Sequence, residues 1–429
     1  MLHQYIFMQQ SKDWIASTNI YEVNLRQYTA EGTFKAFSTH LPRLRKMGIE
    51  TLWFMPVTPI SELGKKGSMG SYYACSNYTS VNPEFGTLEE FRELVNLAHQ
   101  MGFRVIIDWV ANHTGLDHVW TREHPEWYER DPQTGDFKKA SGMDDIIELD
   151  FTSRTMREAM IEALKFWVRE TGIDGFRCDL AFWVEEDFWH EAIPAVNQLK
   201  PLFWLAEMDP LENPGYMQVF DAAYAWKWMH RTFDWYQQHL PLEEIKIVLE
   251  QYHHARGYTA WFTSNHDENS WNGTEYEKYG PAALPLAVHS ITWPGIPLIY
   301  SGQEIPLEKR LEFFEKDTID WPSKPALGDF YSTLLKIRKN HPALHADAPV
   351  YLLPVSEPGQ ILAFKRKSGE EEVIVFLNLS AYPADFELQA IWIDGRFNEI
   401  FNGTEMVMHT GLRIKMPAWS FLVFERNGN

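Results

Sequence analysis

Four short segments of this chain end an apolar run with residues able to do chemistry. Asp108, Asn112 and His113 close the first, Arg177 and Asp179 the second, Glu207 the third, and Asn265, His266 and Asp267 the fourth. One such polar end could be a helix cap or a core network; four on one rim point to a site. The carboxylates decide which chemistry to expect. Cleavage of a glycoside with retention needs a carboxylate nucleophile and a carboxylic acid about 5 Å apart, one on each side of the anomeric carbon. Asp179 and Glu207, at the ends of successive strands, can supply that pair. Arg177 stands two residues before Asp179, so on one strand both side chains face the same way. Its fixed charge is expected to keep Asp179 ionised. Glu207 sits among Phe203, Trp204, Leu205, Ala206 and Met208 with no cation next to it in sequence, so an apolar surrounding should keep it protonated, as an acid must be.

These residues need elements to hold them. Strand candidates are IYEVNLR from Ile20, TLWFMPV from Thr51, RVIIDWV from Arg104, GFRCDL from Gly175, FWLAEM from Phe203, VFDAAYAW from Val219, TAWFTSN from Thr259 and IPLIYSG from Ile296. Near-continuous apolar runs suit parallel strands buried on both faces. Helical periodicity fills the gaps: Phe37, Leu41, Leu44 and Met47 predict one helix stopped by Gly48, and Thr87 with Glu90 makes a capping box before Phe91, Leu94, Val95 and Ala98. Eight strands, most followed by a helix, read as a (β/α)8 TIM barrel, an α/β fold whose function belongs at the C-terminal strand ends. A doubly wound sheet is the alternative, but no Gly-rich phosphate loop follows the first strand. Two segments break the alternation. Residues 114–150 are polar, rich in His, Trp, Asp and Gly, and too long for an ordinary βα loop, so a small excursion domain is expected over the barrel mouth. From 349 to 429 short alternating strands (ILAFKRK, EVIVFLNLS, GLRIKM, SFLVFER) predict a C-terminal antiparallel β-sandwich. The barrel is thus assigned to 1–113 and 151–348.

Composition narrows the partners. A net charge of −20 disfavours nucleic acid and anionic membrane, and leaves a neutral substrate unaffected. With 18 Trp, 18 Tyr and 27 Phe there are rings to spare for sugar faces, although most must fill cores. Cys75 and Cys178 make neither a disulfide framework nor a zinc-ligand spacing. The start, MLHQYIFMQQSKDW, carries no basic segment followed by a long apolar stretch, and a cytoplasmic location is the expectation if Met1 is the natural start. No run of 18 apolar residues predicts a membrane span.

At the four polar strand ends the chain resembles the α-amylase family, family 13 of the glycoside hydrolases. DWVANH (108–113), GFRCDL (175–180), LAEM (205–208) and FTSNHD (262–267) match its motifs in order, and the likeness extends from about Ile20 into the C-terminal sandwich. PGIPLIYSGQE (294–304) resembles the family's eighth strand, where Glu304 is expected to be structural, and ELD (148–150) resembles a weaker motif in the excursion. The resemblance implies that Asp179 is the nucleophile, Glu207 the acid/base and Asp267 the group that binds the sugar's 2- and 3-hydroxyls in the transition state. It implies that His113 and His266 hold hydroxyls of the −1 sugar, that Tyr73 of SYYACSNY stacks under it, and that Arg177 belongs to the same substrate-binding set. No cofactor is required for the chemistry. Asn112 matches a residue that often ligates a structural calcium; such an ion takes six or more oxygen ligands, which the excursion does not visibly supply, so calcium stays open.

The chain departs from the family at Phe182 and Trp183, where many members carry Lys-His contacts to the +2 glucose; the two rings are either an aromatic shelf or packing. The implied activity is hydrolysis of α-1,4-glucosidic bonds in starch, glycogen or maltooligosaccharides. Transfer to a sugar acceptor, or action on short oligosaccharides and disaccharides, is the alternative within the family. A non-catalytic sugar-binding protein is a remote one, since all three carboxylates are present.

Overall fold

The computed structural model describes residues 12–426 of the 429-residue chain; most of the start from which location was read lies outside the described residues. In chain order the strands of the first two regions are β1 (Ile20–Val23), β2 (Thr51–Phe54), β3 (Arg104–Trp109), β4 (His113–Gly115), β5 (Ile146–Glu148), β6 (Gly175–Cys178), β7 (Phe203–Ala206), β8 (Ala222–Tyr224), β9 (Tyr258–Trp261) and β10 (Ile296–Tyr300). Eight of them close a parallel barrel in the order β1-β10-β9-β8-β7-β6-β3-β2. Their side chains are almost all buried, because one face fills the barrel and the other meets the helical ring.

Local chemistry accounts for the helices. The helix Leu88–Gln100 starts at a reciprocal capping box: Glu90 N donates to Thr87 Oγ1 at 3.2 Å and Thr87 N donates to Glu90 Oε2 at 2.8 Å. The periodicity at Phe37–Met47 makes two helices rather than one, Phe34–Ser38 and Leu41–Met47. Pro42 is the reason: it lacks the N–H that would bond Ser38, and its ring crowds that carbonyl. Gly48 ends the second helix in the left-handed conformation, at φ 101°.

Between β3 and β6 the chain leaves the barrel. β4 and β5 pair antiparallel, His113 opposite Glu148 and Gly115 opposite Ile146, so the excursion begins and ends on one ribbon above the barrel mouth. Lys138 bridges Glu129 at 2.6 Å and Glu148 at 2.5 Å, tying the outer loop to that ribbon.

The C-terminal region adds β11 (Val350–Leu352), β12 (Ile361–Ser368), β13 (Glu371–Asn378), β14 (Ala384–Glu387), β15 (Asp394–Glu399), β16 (Glu405–His409), β17 (Arg413–Met416) and β18 (Ser420–Arg426). A six-stranded sheet, β11-β12-β13-β18-β15-β16, faces the pair β14-β17. Alternation puts the two faces of β13 in different cores: Val373, Val375 and Leu377 pack toward the barrel, Ile374 and Phe376 toward the sandwich interior with Phe386 and Phe424. Arg366, fully buried, donates to the carbonyls of Thr292, His345 and Ala348 and so joins the sheet to the barrel. Cys75 and Cys178 are both buried and unbridged. Among the described residues no helix is long and apolar enough to cross a membrane.

Candidate active site

Strand register assembles the site. β6 and β7 pair in parallel with Arg177 opposite Leu205 and Cys178 opposite Ala206. The next residues on each strand, Asp179 and Glu207, therefore emerge side by side at the rim. Asp179 N donates to Trp109 O at 2.9 Å and Glu207 N to Cys178 O at 3.0 Å, so the ladder continues into both carboxyl-bearing residues. After Asp179 the chain turns at Leu180 through the left-handed region (φ 39°), unusual for a non-glycine residue. That turn aims the Leu180 N–H at Glu207, whose Oε2 accepts it at 2.8 Å. Strain of this kind persists where surrounding contacts over-determine it.

Arg177 is the hub. It is fully buried, and Nη1 donates to Asp179 Oδ1 at 2.8 Å and to Asp108 Oδ1 at 3.0 Å. Nη2 lies 2.9 Å from Glu207 Oε2 as an ion pair, and Nε donates to the Tyr224 hydroxyl. Glu207 therefore has a cation beside it that its sequence neighbours do not reveal, because strand pairing brings it from a different segment. Burial pushes Glu207 up to about 7, with Arg177 opposing. Burial likewise pushes Asp179 up to about 6, against the pull of Arg177. The arginine thus limits a rise rather than depressing Asp179, since the cost of dehydrating a carboxylate outweighs one shared cation. The pair splits in the useful direction: near pH 6.5 the glutamic acid keeps its proton more often than the aspartic acid does. Arg177 was assigned to substrate binding; enclosed by its four partners, it instead positions and charges the groups that face the cavity.

On the opposite wall His266 joins two acids. Nδ1 lies 2.5 Å from Glu22 Oε1, and Nε2 lies 2.7 Å from the Tyr73 hydroxyl and 3.1 Å from Asp267 Oδ2. Burial works against a charged ring here, but Asp267 and Glu22 outweigh it and raise His266 well above its usual value. Burial also works against ionised Asp267, and His266 outweighs it and lowers that carboxyl. With both nitrogens engaged and the ring 1% exposed, His266 acts through Tyr73 and Asp267 rather than by reaching the cavity. Tyr73 stacks on it at 5.4 Å and 17°, and its hydroxyl also donates to Asp108 at 3.2 Å.

A cavity of about 520 Å³ opens over these groups. Tyr73, His113, Asp179, Glu207 and Asp267 all line it. His113 is held neutral by burial, which pushes it down to about 4, and its Nε2 has no partner among the described residues. A neutral ring with an unpartnered nitrogen in the cavity wall suits a sugar hydroxyl.

Phe182 and Trp183 stand apart. They lie on a 3-10 turn beyond Leu180, Phe182 is 42% exposed, and neither ring lines the cavity. Asn112 lies at the start of the excursion. Its side-chain amide nitrogen faces the His113 ring, its backbone carbonyl accepts from Leu149 N, and among the described residues no group of three or more His, Cys, Asp or Glu could hold a metal ion. Glu304 is fully buried and accepts from the Tyr21 hydroxyl and from Arg43, both at 2.8 Å.

Several residues at the site escaped sequence reasoning. Glu22 carries a charge inside the apolar run of β1, the one signal that could have exposed it. Trp271 and Phe313 make an aromatic wall with Tyr73: Phe313 stacks on Tyr73 at 6.2 Å and lies 5.3 Å from Trp271. Lys66 and Asp145 face the same cavity from two different loops.

Known proteins are similar to this chain in sequence and fold. Residues 7–138 match the family model of the α-amylase catalytic domain, and 351–423 that of the maltogenic amylase C-terminal domain. Alpha-amylase 2 of Dictyoglomus thermophilum is 25% identical over 412 residues, 89% of this chain and 69% of that protein. The alpha-1,4-glucan:maltose-1-phosphate maltosyltransferase of Rhodospirillum rubrum is 27% identical over 415 residues, 87% of this chain but 58% of its own length. The crystal structure of a maltogenic α-amylase from Thermotoga neapolitana superposes with a TM-score of 0.88 at 26% identity, covering 96% of this chain and 99% of that one. Barrel and C-terminal sheet agree with these matches, and along most of its length the chain is similar to the α-amylase family of glycoside hydrolases.

Proposed function

We propose that this enzyme hydrolyses α-1,4-glucosidic bonds of starch, glycogen or maltooligosaccharides with retention, through a glycosyl-enzyme on Asp179. The observation that carries this reading is Arg177 gripping Asp179 and Glu207 at the floor of one cavity that Asp267 also lines. Held by one guanidinium, the two carboxyls stay close, as double displacement requires. Asp179 attacks the anomeric carbon as the glycosidic bond breaks, and Glu207 gives its proton to the leaving oxygen. Glu207, now ionised, takes a proton from water, whose oxygen displaces Asp179 and leaves the sugar in its α configuration. Asp267, kept ionised by His266, accepts hydrogen bonds from hydroxyls of the flattening sugar while His113 offers its free nitrogen.

A 5-fluoroglycosyl fluoride tests the reading: peptide mass analysis should find the label on Asp179, and proton NMR of the first product should show the α-anomer. A β-anomer as first product would overturn it. Labelling also separates an enzyme from a sugar-binding protein, which would take none. Transfer is the second reading, favoured by the likeness to a maltosyltransferase. Products longer than maltoheptaose, formed from maltoheptaose with added glucose, would mark it.

A further inference from the structure

One side of the cavity is walled by loops tied to one another. The loop after β2, SELGKKGSMGS at 61–71, is tied to the excursion on one side and to the loop after β10 on the other. Toward the excursion, the backbone N–H groups of Glu62 and Leu63 donate to Asp117 Oδ2 at 3.1 and 3.0 Å. Toward the β10 loop, Ser68 N donates to Glu315 Oε1 and Met69 N to Phe314 O, both at 2.9 Å. Gly67 makes the second approach feasible, since with φ at +59° a Cβ there would meet Phe314 and Glu315 at 2.6 Å. Lys66 completes the wall: its Nζ pairs with the buried Asp145 at 2.6 Å and lies 5.9 Å over the Phe314 ring.

The barrel order says which end of a chain meets this wall. β10 and β2 flank β1, and β7, which carries Glu207, is reached from β1 through β10, β9 and β8 one way and through β2, β3 and β6 the other. Glu207 therefore stands across the barrel from the wall. An acid that protonates the leaving group lies on the leaving group's side, so the part of the substrate beyond the attacked sugar, toward the non-reducing end, points at the wall. A volume of about 520 Å³ is that of a small-molecule pocket rather than a groove for a long polymer.

We propose that the wall closes the non-reducing end of the cavity, with the Lys66–Asp145 bridge as its stop, so that the enzyme takes α-glucans by their non-reducing ends and releases short products. This rests on the hydrolase reading above.

The test uses three substrates: free maltoheptaose, maltoheptaose blocked by a 4,6-ethylidene group at the non-reducing end, and maltoheptaitol, altered only at the reducing end. The wild-type enzyme should cleave the blocked chain at least about tenfold more slowly than the free one, and maltoheptaitol about as fast. In Lys66→Ala the blocked-to-free ratio should rise and the first products should spread over more lengths. Equal wild-type rates on blocked and free chains would overturn the closed end. A closed wild-type end with an unchanged ratio in both Lys66→Ala and Asp145→Asn would overturn the assignment of the stop to that bridge. Failure of the hydrolase reading looks different: no substrate is cleaved and Asp179 takes no label.

Discussion

The floor of this active site and its rim are built on different principles. The floor is strand ends. Arg177, Asp108, Asp179 and Glu207 are each at most 6% exposed, and the hydrogen-bond ladder of β3, β6 and β7 fixes their spacing. The rim is loops: 61–71 after β2, the excursion ribbon, and the stretch holding Phe313 and Phe314 after β10. Its contacts include lysine bridges, N–H groups of the 61–71 loop held by Asp117 on one side and by the β10 loop on the other, and stacked rings. The floor can hold geometry tightly enough for bond making, and the rim can vary without disturbing it. Chemistry is thus assigned to register, and choice of substrate to loops.

The strongest way to break that division is to remove the proposed nucleophile. Asp179→Asn should lower kcat by about 10⁴-fold or more with the fold retained, read by starch hydrolysis beside circular dichroism. A mild loss would move the chemistry elsewhere. Glu207→Gln should cost about 10²–10⁴-fold on maltooligosaccharides yet far less on an α-glycosyl fluoride, whose leaving group needs no proton. Equal losses on both substrates would deny Glu207 the acid's role. Arg177→Met asks whether the floor is one unit. It strips three buried carboxyls of their cation, and urea unfolding should show about 3–5 kcal/mol of destabilisation. A loss below about 1 kcal/mol would mean the acids do not depend on their hub.

The pH profile sharpens the same comparison. Burial sets the upper limb near pH 7, where Glu207 loses its proton, and the lower near pH 6, where Asp179 gains one. kcat/KM should therefore form a narrow bell, falling toward both sides as one partner takes the wrong form. A plateau from pH 4 to 9 would contradict the buried floor. The smallest effect is expected at the rim outside the cavity: Phe182→Ala should change kcat/KM for maltoheptaose by no more than about twofold. A larger change would bring that ring into contact with substrate.

Much of this was legible in one dimension. Apolar runs buried on both faces announced the barrel strands, and Thr87 with Glu90 announced the helix they cap. The spacing of Arg177 and Asp179 followed from the two-residue period of a strand. Pro42 was readable too, as the break in a helix that periodicity alone ran together. What stayed hidden came from other segments of the chain. Glu22 meets His266 across 244 positions and His266 meets Tyr73 across 193.

Sequence by itself determined the kind of chemistry to propose, because residue type and strand period place Arg177, Asp179 and Glu207 at the ends of successive strands whatever the loops do. Only the tertiary structure decided how those groups are charged and how far a substrate can reach. Burial competes with Arg177 over the same carboxyls, and only three-dimensional packing measures burial. The wall at Lys66 and Asp145 joins two loops that no local pattern links; closure of the barrel brings them together.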